Sequence, residues 1–154
     1  MKCGRRCEGR YREVVEPQTF KVRGREVTVP VSLMKCDACG DIMYSPEQMD
    51  LAQNAVYAEI RSRENLLGPD EIASLRLSLG LKQDEFERLL GLGPKTVVRW
   101  ESGRVFQSKA ADALMRLVHA DRENAVRLAE WNGITLPRNP SIRRALGRRS
   151  RSTP

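Results

Sequence analysis

The 154-residue sequence contains no apolar run approaching the ~18–20 residues of a membrane span, and its N-terminus lacks the apolar core of a signal peptide. A membrane role is thereby unexpected, and the chain is expected to work in the cytoplasm. Histidine occurs once, as His119. With no acid or nucleophile placed beside it by sequence, it is an ordinary helix residue, and an enzyme is not expected. Cysteine is scarce as well: there are four, all within the first 39 residues. A reducing compartment disfavours disulfides and favours metal ligation or free thiols for them.

The net charge of +7 is unevenly placed. Residues 1–44 carry nine basic and six acidic groups, 45–68 carry two and four, and 69–137 carry ten of each. Residues 138–154 carry six Arg and no acid, so most of the excess sits in the tail. Bulk charge therefore says little about a DNA-binding fold, and the case has to come from local patterning. Composition also divides the chain. Cysteines and β-branched residues crowd the first part, whereas Leu and Ala recur at helical spacing beyond residue 68. Two small domains are expected, and a half-chain of about 65 residues buries so little core that one of them needs a staple.

The cysteines supply a candidate. Cys3 and Cys7 form one pair and Cys36 and Cys39 another, each bridged by a loop short enough for two thiolates to reach one ion. Gly4 and Gly40 offer the backbone freedom of tight knuckles. Tyr11–Glu16 and Thr19–Leu33 alternate like strands, and Arg23-Gly24 offers a turn between them, so a hairpin would return Cys36 and Cys39 beside Cys3 and Cys7. Two disulfides or four unrelated buried thiols are the alternatives. Four thiolates with no histidine nearby describe a closed, structural Zn2+ site whose role is folding free energy.

Ser45-Pro46-Glu47-Gln48 reads as a helix start: Ser as N-cap, Pro in the first turn and an acid behind it. That helix is expected to run to about Asn65 with Leu51, Val56 and Ile60 on its apolar face, and either to cover the sheet or to do more. Gly68-Pro69 breaks the pattern. Beyond it, Asp70–Leu79 reads as a helix ended by Gly80, and Lys82–Leu90 as a second ended by Gly91. Pro94–Ser102 reads as a third, closed by Gly103. Helix, tight glycine turn and short helix make a helix-turn-helix. Val97 and Trp100, three apart, should face the core, leaving Lys95, Thr96 and Arg99 to reach outward from a rod that a major groove admits. Glu87, on the second helix, is expected either to lean outward or to loosen the packing between the two helices. Further helices are expected from Ser108 to about His119 and from Asp121 to Trp131. Leu114, Leu117 and Val118 are placed in the core, and Trp131 and Ile134 in the core or at a dimer contact.

The stretch from Gln83 to Gly103, with Thr96-Val97, Arg99-Trp100-Glu101 and the glycine turn, resembles the Cro/Xre repressor type of helix-turn-helix. Joined to cysteine knuckles that begin at Met1-Lys2-Cys3, it is similar to the MqsA/YgiT-type antitoxins over residues 1 to about 137. The resemblance implies an α+β chain: a small zinc-bound antiparallel β domain with a helix over residues 1–68, which binds a toxin. An all-α Xre-type helix-turn-helix domain over residues 69–137 would follow, dimerising and binding its own operator. It implies zinc on Cys3, Cys7, Cys36 and Cys39, DNA contacts from Lys95 and Arg99, and a phosphate contact from Gln83. Glu101 and Gly103 match positions that finish the third helix. Three features depart from the family pattern. Three residues rather than two separate Cys3 from Cys7, Lys95 stands where better-known members have Asn, and Glu87 stands where a small residue is usual.

Residues 138–154 hold too few apolar groups to fold alone, and are expected to be either an arm adding phosphate contacts or a solvated tail. The leading expectation is an antitoxin that neutralises a cognate toxin and represses its own operon as a homodimer on a palindromic operator. The other is a free-standing zinc-containing regulator of the same family.

Overall fold

The computed structural model describes residues 1–3 and 7–137. The expectations for Gly4 and for the Arg-rich segment 138–154 lie outside these residues. The chain divides into two compact units, Met1–Asn65 and a second beginning at Leu66. Gly68 and Pro69 open the first helix of the second unit.

The first unit is built on one long hairpin, β1 (Tyr11–Val22) and β2 (Arg25–Cys36), paired antiparallel from Val22↔Arg25 to Tyr11↔Cys36. Arg23 and Gly24 both adopt positive φ, 48° and 77°, the geometry of a two-residue hairpin turn whose twist matches its strands. The strand runs unbroken through Pro17, which pairs with Pro30. The missing N–H groups are tolerated because, among the described residues, neither strand has a further partner at that point. A short β3 (Ile42–Met43) pairs only with Met34 and Lys35 at the far end of β2.

Alternate residues of β2 (Val27, Val29, Val31 and Leu33) are buried, and α1 (Pro46–Glu64) packs on this strand with Ala52, Val56 and Ile60 buried at four-residue spacing. Leu51 does not belong to that stripe. One residue away from Ala52 it lies about 100° further round the helix, and it is 66% exposed. Ser45 caps α1 by accepting from Gln48 N (3.2 Å), while Gln48 Oε1 accepts from Ser45 N (3.0 Å), a reciprocal box completed by Gln48 rather than Glu47.

The second unit is all-helical: α2 (Pro69–Ser78), α3 (Gln83–Leu89), α4 (Thr96–Glu101), α5 (Lys109–Ala120) and α6 (Arg122–Trp131). Ser108 and Asp121 cap the last two, accepting from Ala111 N and Glu123 N. Ile72, Leu75, Leu79, Leu81, Phe86, Leu89, Val97, Trp100, Met115, Val118 and two alanines of α6 form its core. Leu114 and Ile134 pack against this core partly buried. Leu117 and Trp131 do not enter it, at 58% and 78% exposed, because Met115, Val118, Ala125 and Ala129 already occupy the inward stripes of α5 and α6. The chain is thus α+β, an antiparallel sheet with one helix followed by a helix-turn-helix domain. No helix among the described residues is long and apolar enough to cross a membrane.

Candidate metal centre and nucleic-acid interface

At the open end of the hairpin the four cysteines meet, every pair of sulfurs lying within 4.8 Å. The Cys3–Cys39, Cys7–Cys36 and Cys7–Cys39 separations are 3.8, 3.5 and 3.6 Å. Four sulfurs at the ~2.3 Å bond length of a tetrahedral thiolate site would stand about 3.8 Å apart, so the donor set fits one ion. A backbone N–H of Gly9 favours the Cys7 thiolate, yet Cys3, Cys36, Cys39 and desolvation outweigh it and push that thiol up to about 12. Cys39 is raised too: the Asp41 backbone opposes the shift, and Cys36 is the largest contribution raising it. Thiols packed this closely ionise together only around a cation.

Backbone bonds shape the knuckles. Cys3 N donates to Gly9 O (2.9 Å), Cys36 N to Asp41 O (2.9 Å) and Gly40 N to Cys36 O (3.0 Å). Gly40 sits at φ 71°, a conformation that favours glycine. Asp37 ties one knuckle to β1, its carboxylate accepting from Arg10 N (2.8 Å) and Arg12 Nε (3.3 Å). The Arg10 backbone first, and Arg12 with it, hold that carboxyl below its ordinary range. Tyr11 Oη donates to Asp41 Oδ2 (2.6 Å) and lies 3.7 Å from Cys3 Sγ. The hydrogen bond to Asp41 and then the contact with Cys3 raise its phenol.

Gly9 is a site residue that sequence reasoning missed. A Cβ there would stand 2.5 Å from Cys36 Sγ and 2.7 Å from Ala38 Cβ, so only glycine lets the two knuckles approach. Its signal is faint, a glycine two residues beyond the second cysteine. Gly9→Ala should displace Cys36 from the cluster and weaken metal affinity by about tenfold or more, the range seen when groups around a metal are altered. Competition titration with a chromophoric chelator would read it; an unchanged affinity would show that the knuckles can separate without loss.

The second candidate lies in the helix-turn-helix. Val97 and Trp100 of α4 are buried as expected, and Lys95, Val98 and Arg99 are exposed, with Thr96 half-buried. Two expectations need correction. Pro94 does not start α4; the helix starts at Thr96, and Lys95 is its N-cap with left-handed backbone (φ 61°, ψ 13°). Glu87 does not lean outward: it is 6% exposed and its carboxylate accepts from Lys95 N (3.1 Å) and Val97 N (2.9 Å). The space usually left by a small residue is filled by an acid that serves backbone donors of the next helix.

Gln83 opens α3, with its Nε2 donating to Glu101 Oε2 (2.8 Å) at the end of α4. Arg76 of α2 grips the same carboxylate through Nε (2.7 Å) and Nη2 (3.0 Å), in a pair only 12% and 10% exposed. A bidentate pair this sheltered is costly to break, about 3–5 kcal/mol when one partner is removed. It ties α2, α3 and α4 together, so Glu101 sets where the Lys95–Arg99 face points. The structure thus brings the four cysteines to one point, and places Lys95, Thr96 and Arg99 on one short helix and its cap.

Three comparisons bear on this arrangement. A 60-residue stretch is 45% identical to an uncharacterized HTH-type transcriptional regulator, YiaG, of Escherichia coli K12, covering 39% of this chain and 62% of that protein. A 64-residue stretch is 34% identical to the antitoxin HigA-2 of Vibrio cholerae serotype O1, covering 42% of this chain and 62% of that one. The chain thus spans somewhat under two thirds of the length of each of these relatives. The family described as the antitoxin component of a bacterial toxin-antitoxin system, MqsA, matches residues 1–127, a stretch that contains both the cysteine cluster and the helix-turn-helix. On that match, and on the two units that carry it, the chain belongs to the MqsA antitoxin family.

Proposed function

We propose that this chain neutralises a toxin through its zinc-bound first unit and, as a homodimer, represses its own operon by binding a palindromic operator through its second. Cys3, Cys7, Cys36 and Cys39 hold one structural Zn2+, the ion favoured by four thiolates. Bound there, the ion would cross-link the open end of the hairpin, and Cys3, Cys7, Cys36 and Cys39 would be its ligands. Lys95, Thr96 and Arg99 contact base edges in the major groove, Arg99 pairing with guanine O6 and N7, while Gln83 supports a phosphate contact from the start of α3. Two copies place two α4 helices about one helical turn apart, matching a palindrome. The work is done in the cytoplasm.

The observation that carries the DNA reading is the division of α4. Its buried side is fixed by Val97 and Trp100, while its exposed side and its N-cap hold one cation each, Arg99 and Lys95, that no core requirement explains. The toxin reading rests on the family. A second reading, a free-standing zinc-containing regulator, is favoured by the relative named only as an HTH-type transcriptional regulator. Co-purification from the native host, read by mass spectrometry, separates them. A stoichiometric small partner protein is the expected result; a dimer alone would leave the regulator reading standing and remove the antitoxin one.

A further inference from the structure

We propose that Glu87 is a positioning residue for base reading: it caps α4 from the neighbouring helix and so holds the backbone of Lys95, at the N-cap, in the geometry that presents its side chain to DNA. The inference rests on the proposal that α4 enters a groove. It deepens that proposal by naming what holds the reading residue in place.

A helix begins with backbone N–H groups that have no partner within the helix, and the N-cap side chain ordinarily accepts one of them. Ser, Thr, Asp and Asn are preferred there for that reason. Lys95 cannot do this, because an ammonium only donates. It makes no side-chain cap bond, and its left-handed backbone is one that a side chain other than Gly, Asn or Asp rarely adopts.

Glu87 meets both difficulties. One carboxylate oxygen takes the N–H of Lys95 and the other takes the N–H of Val97, a residue whose side chain is wholly buried. The same residue's carbonyl accepts from Leu92 N (2.8 Å), beside a bond from Gly91 N to Arg88 O (3.2 Å), which closes α3. One residue therefore holds both ends of the turn between the helices. Backbone in a sparsely populated region persists only where its surroundings over-determine it, and these bonds do so at Lys95.

The consequence concerns specificity. With the cap supplied by Glu87, a residue that cannot cap its own helix is accommodated at position 95, with its backbone held in place. A long cation can then stand at the end of the helix nearest the DNA.

The test uses the full chain and two duplexes at one salt concentration: a site selected by the wild-type chain from a random-sequence pool, and a random-sequence duplex. Glu87→Ala should lower the ratio of selected to random affinity about tenfold, from two orphaned donors at the reading end. Binding to random DNA should hold or tighten, since a negative charge has been removed. Glu87→Gln, which keeps one acceptor oxygen, should fall between. Asn tolerates left-handed backbone and caps its own helix, so Lys95→Asn added to Glu87→Ala should restore slow amide exchange at Val97 without restoring selectivity.

An unchanged ratio in both variants would overturn the proposal. So would equal losses on both duplexes alongside a lower Tm, the mark of a merely structural role. Should Glu87→Ala not fold, the Gln variant and the wild-type chain decide the matter, and fast amide exchange at Val97 of the wild type would overturn it. A wild-type chain that selects no site at all would remove the groove reading itself and this proposal with it, a failure distinguishable because it precedes any substitution.

Discussion

Replacing Lys95 and Arg99 together by alanine should abolish the chain's preference for its selected DNA site and leave the second unit folded. Both side chains are exposed, and the residues that anchor α4, Val97 and Trp100, are untouched. Surface substitutions of this kind change stability by about 0.5 kcal/mol or less. A good bidentate base contact is worth about 1–3 kcal/mol of discrimination, so losing two reading side chains should cost on the order of 10²-fold per half-site. On a palindrome the loss is taken twice. Binding to random-sequence DNA should weaken far less, and its salt dependence should flatten by about the number of phosphate contacts those cations make. Quantitative gel shift at fixed salt, with circular dichroism as the folding control, measures both. A folded double variant that keeps the selected site as tightly and as selectively would overturn the DNA reading of α4.

Stripping metal from the chain should unfold the first unit and spare the second. The hairpin reaches the cysteines at its open end, where Tyr11↔Cys36 is the last pair of the ladder and Cys3, Tyr11 and Cys36 form a small buried cluster around the sulfurs. Two-stranded hairpins are marginal in water, and one helix packed on one strand adds a modest core. Structural zinc contributes about 10–16 kcal/mol of apparent binding free energy in small zinc-held folds, more than the whole stability of an ordinary domain. Amide exchange across residues 1–44 should therefore accelerate on the order of 10³-fold or more on adding a chelator, while α2 to α6 keep their protection. Acidification should mimic the chelator, because the ligands must be deprotonated to bind, so the stabilisation that metal binding supplies is lost as pH falls. Hydrogen exchange read by mass spectrometry checks both. Unchanged exchange in the hairpin after complete metal removal would mean that the cysteines pack as thiols and the fold stands without an ion.

Much of the architecture can be read from short-range chemistry. Arg23-Gly24 supplies the positive-φ pair that a two-residue turn demands, and Ser45-Pro46, Ser108 and Asp121 announce helix starts that the structure places at those residues. Paired cysteine spacings point to a possible chelate because a short loop can serve one ion whatever surrounds it, and the structure brings the four sulfurs together. Errors arise where a residue's direction depends on neighbours from other elements. Leu51 and Leu117 are apolar at plausible helical spacing, yet each points away from stripes already filled by Ala52, Met115 and Val118. Periodicity constrains which residues share a face, but which of two adjacent apolar faces turns inward is decided by what packs against it.

What the sequence alone determined is therefore the local repertoire: four thiols in two closely spaced pairs, one hairpin, six helices with the caps of three of them, and a short helix that carries cations beside core residues. Those features follow from backbone preference and side-chain chemistry within a few residues. Tertiary structure decided the rest: that Gly9 must lack a Cβ for Cys36 to reach the cluster, that Arg76, Gln83 and Glu101 lock three helices together, and that Glu87 turns inward to cap Lys95 and Val97. The physical reason is common to all three. Each is a contact between residues that the chain brings together only after its elements have packed, where a buried acceptor or a missing methyl is judged by partners that no local pattern encodes.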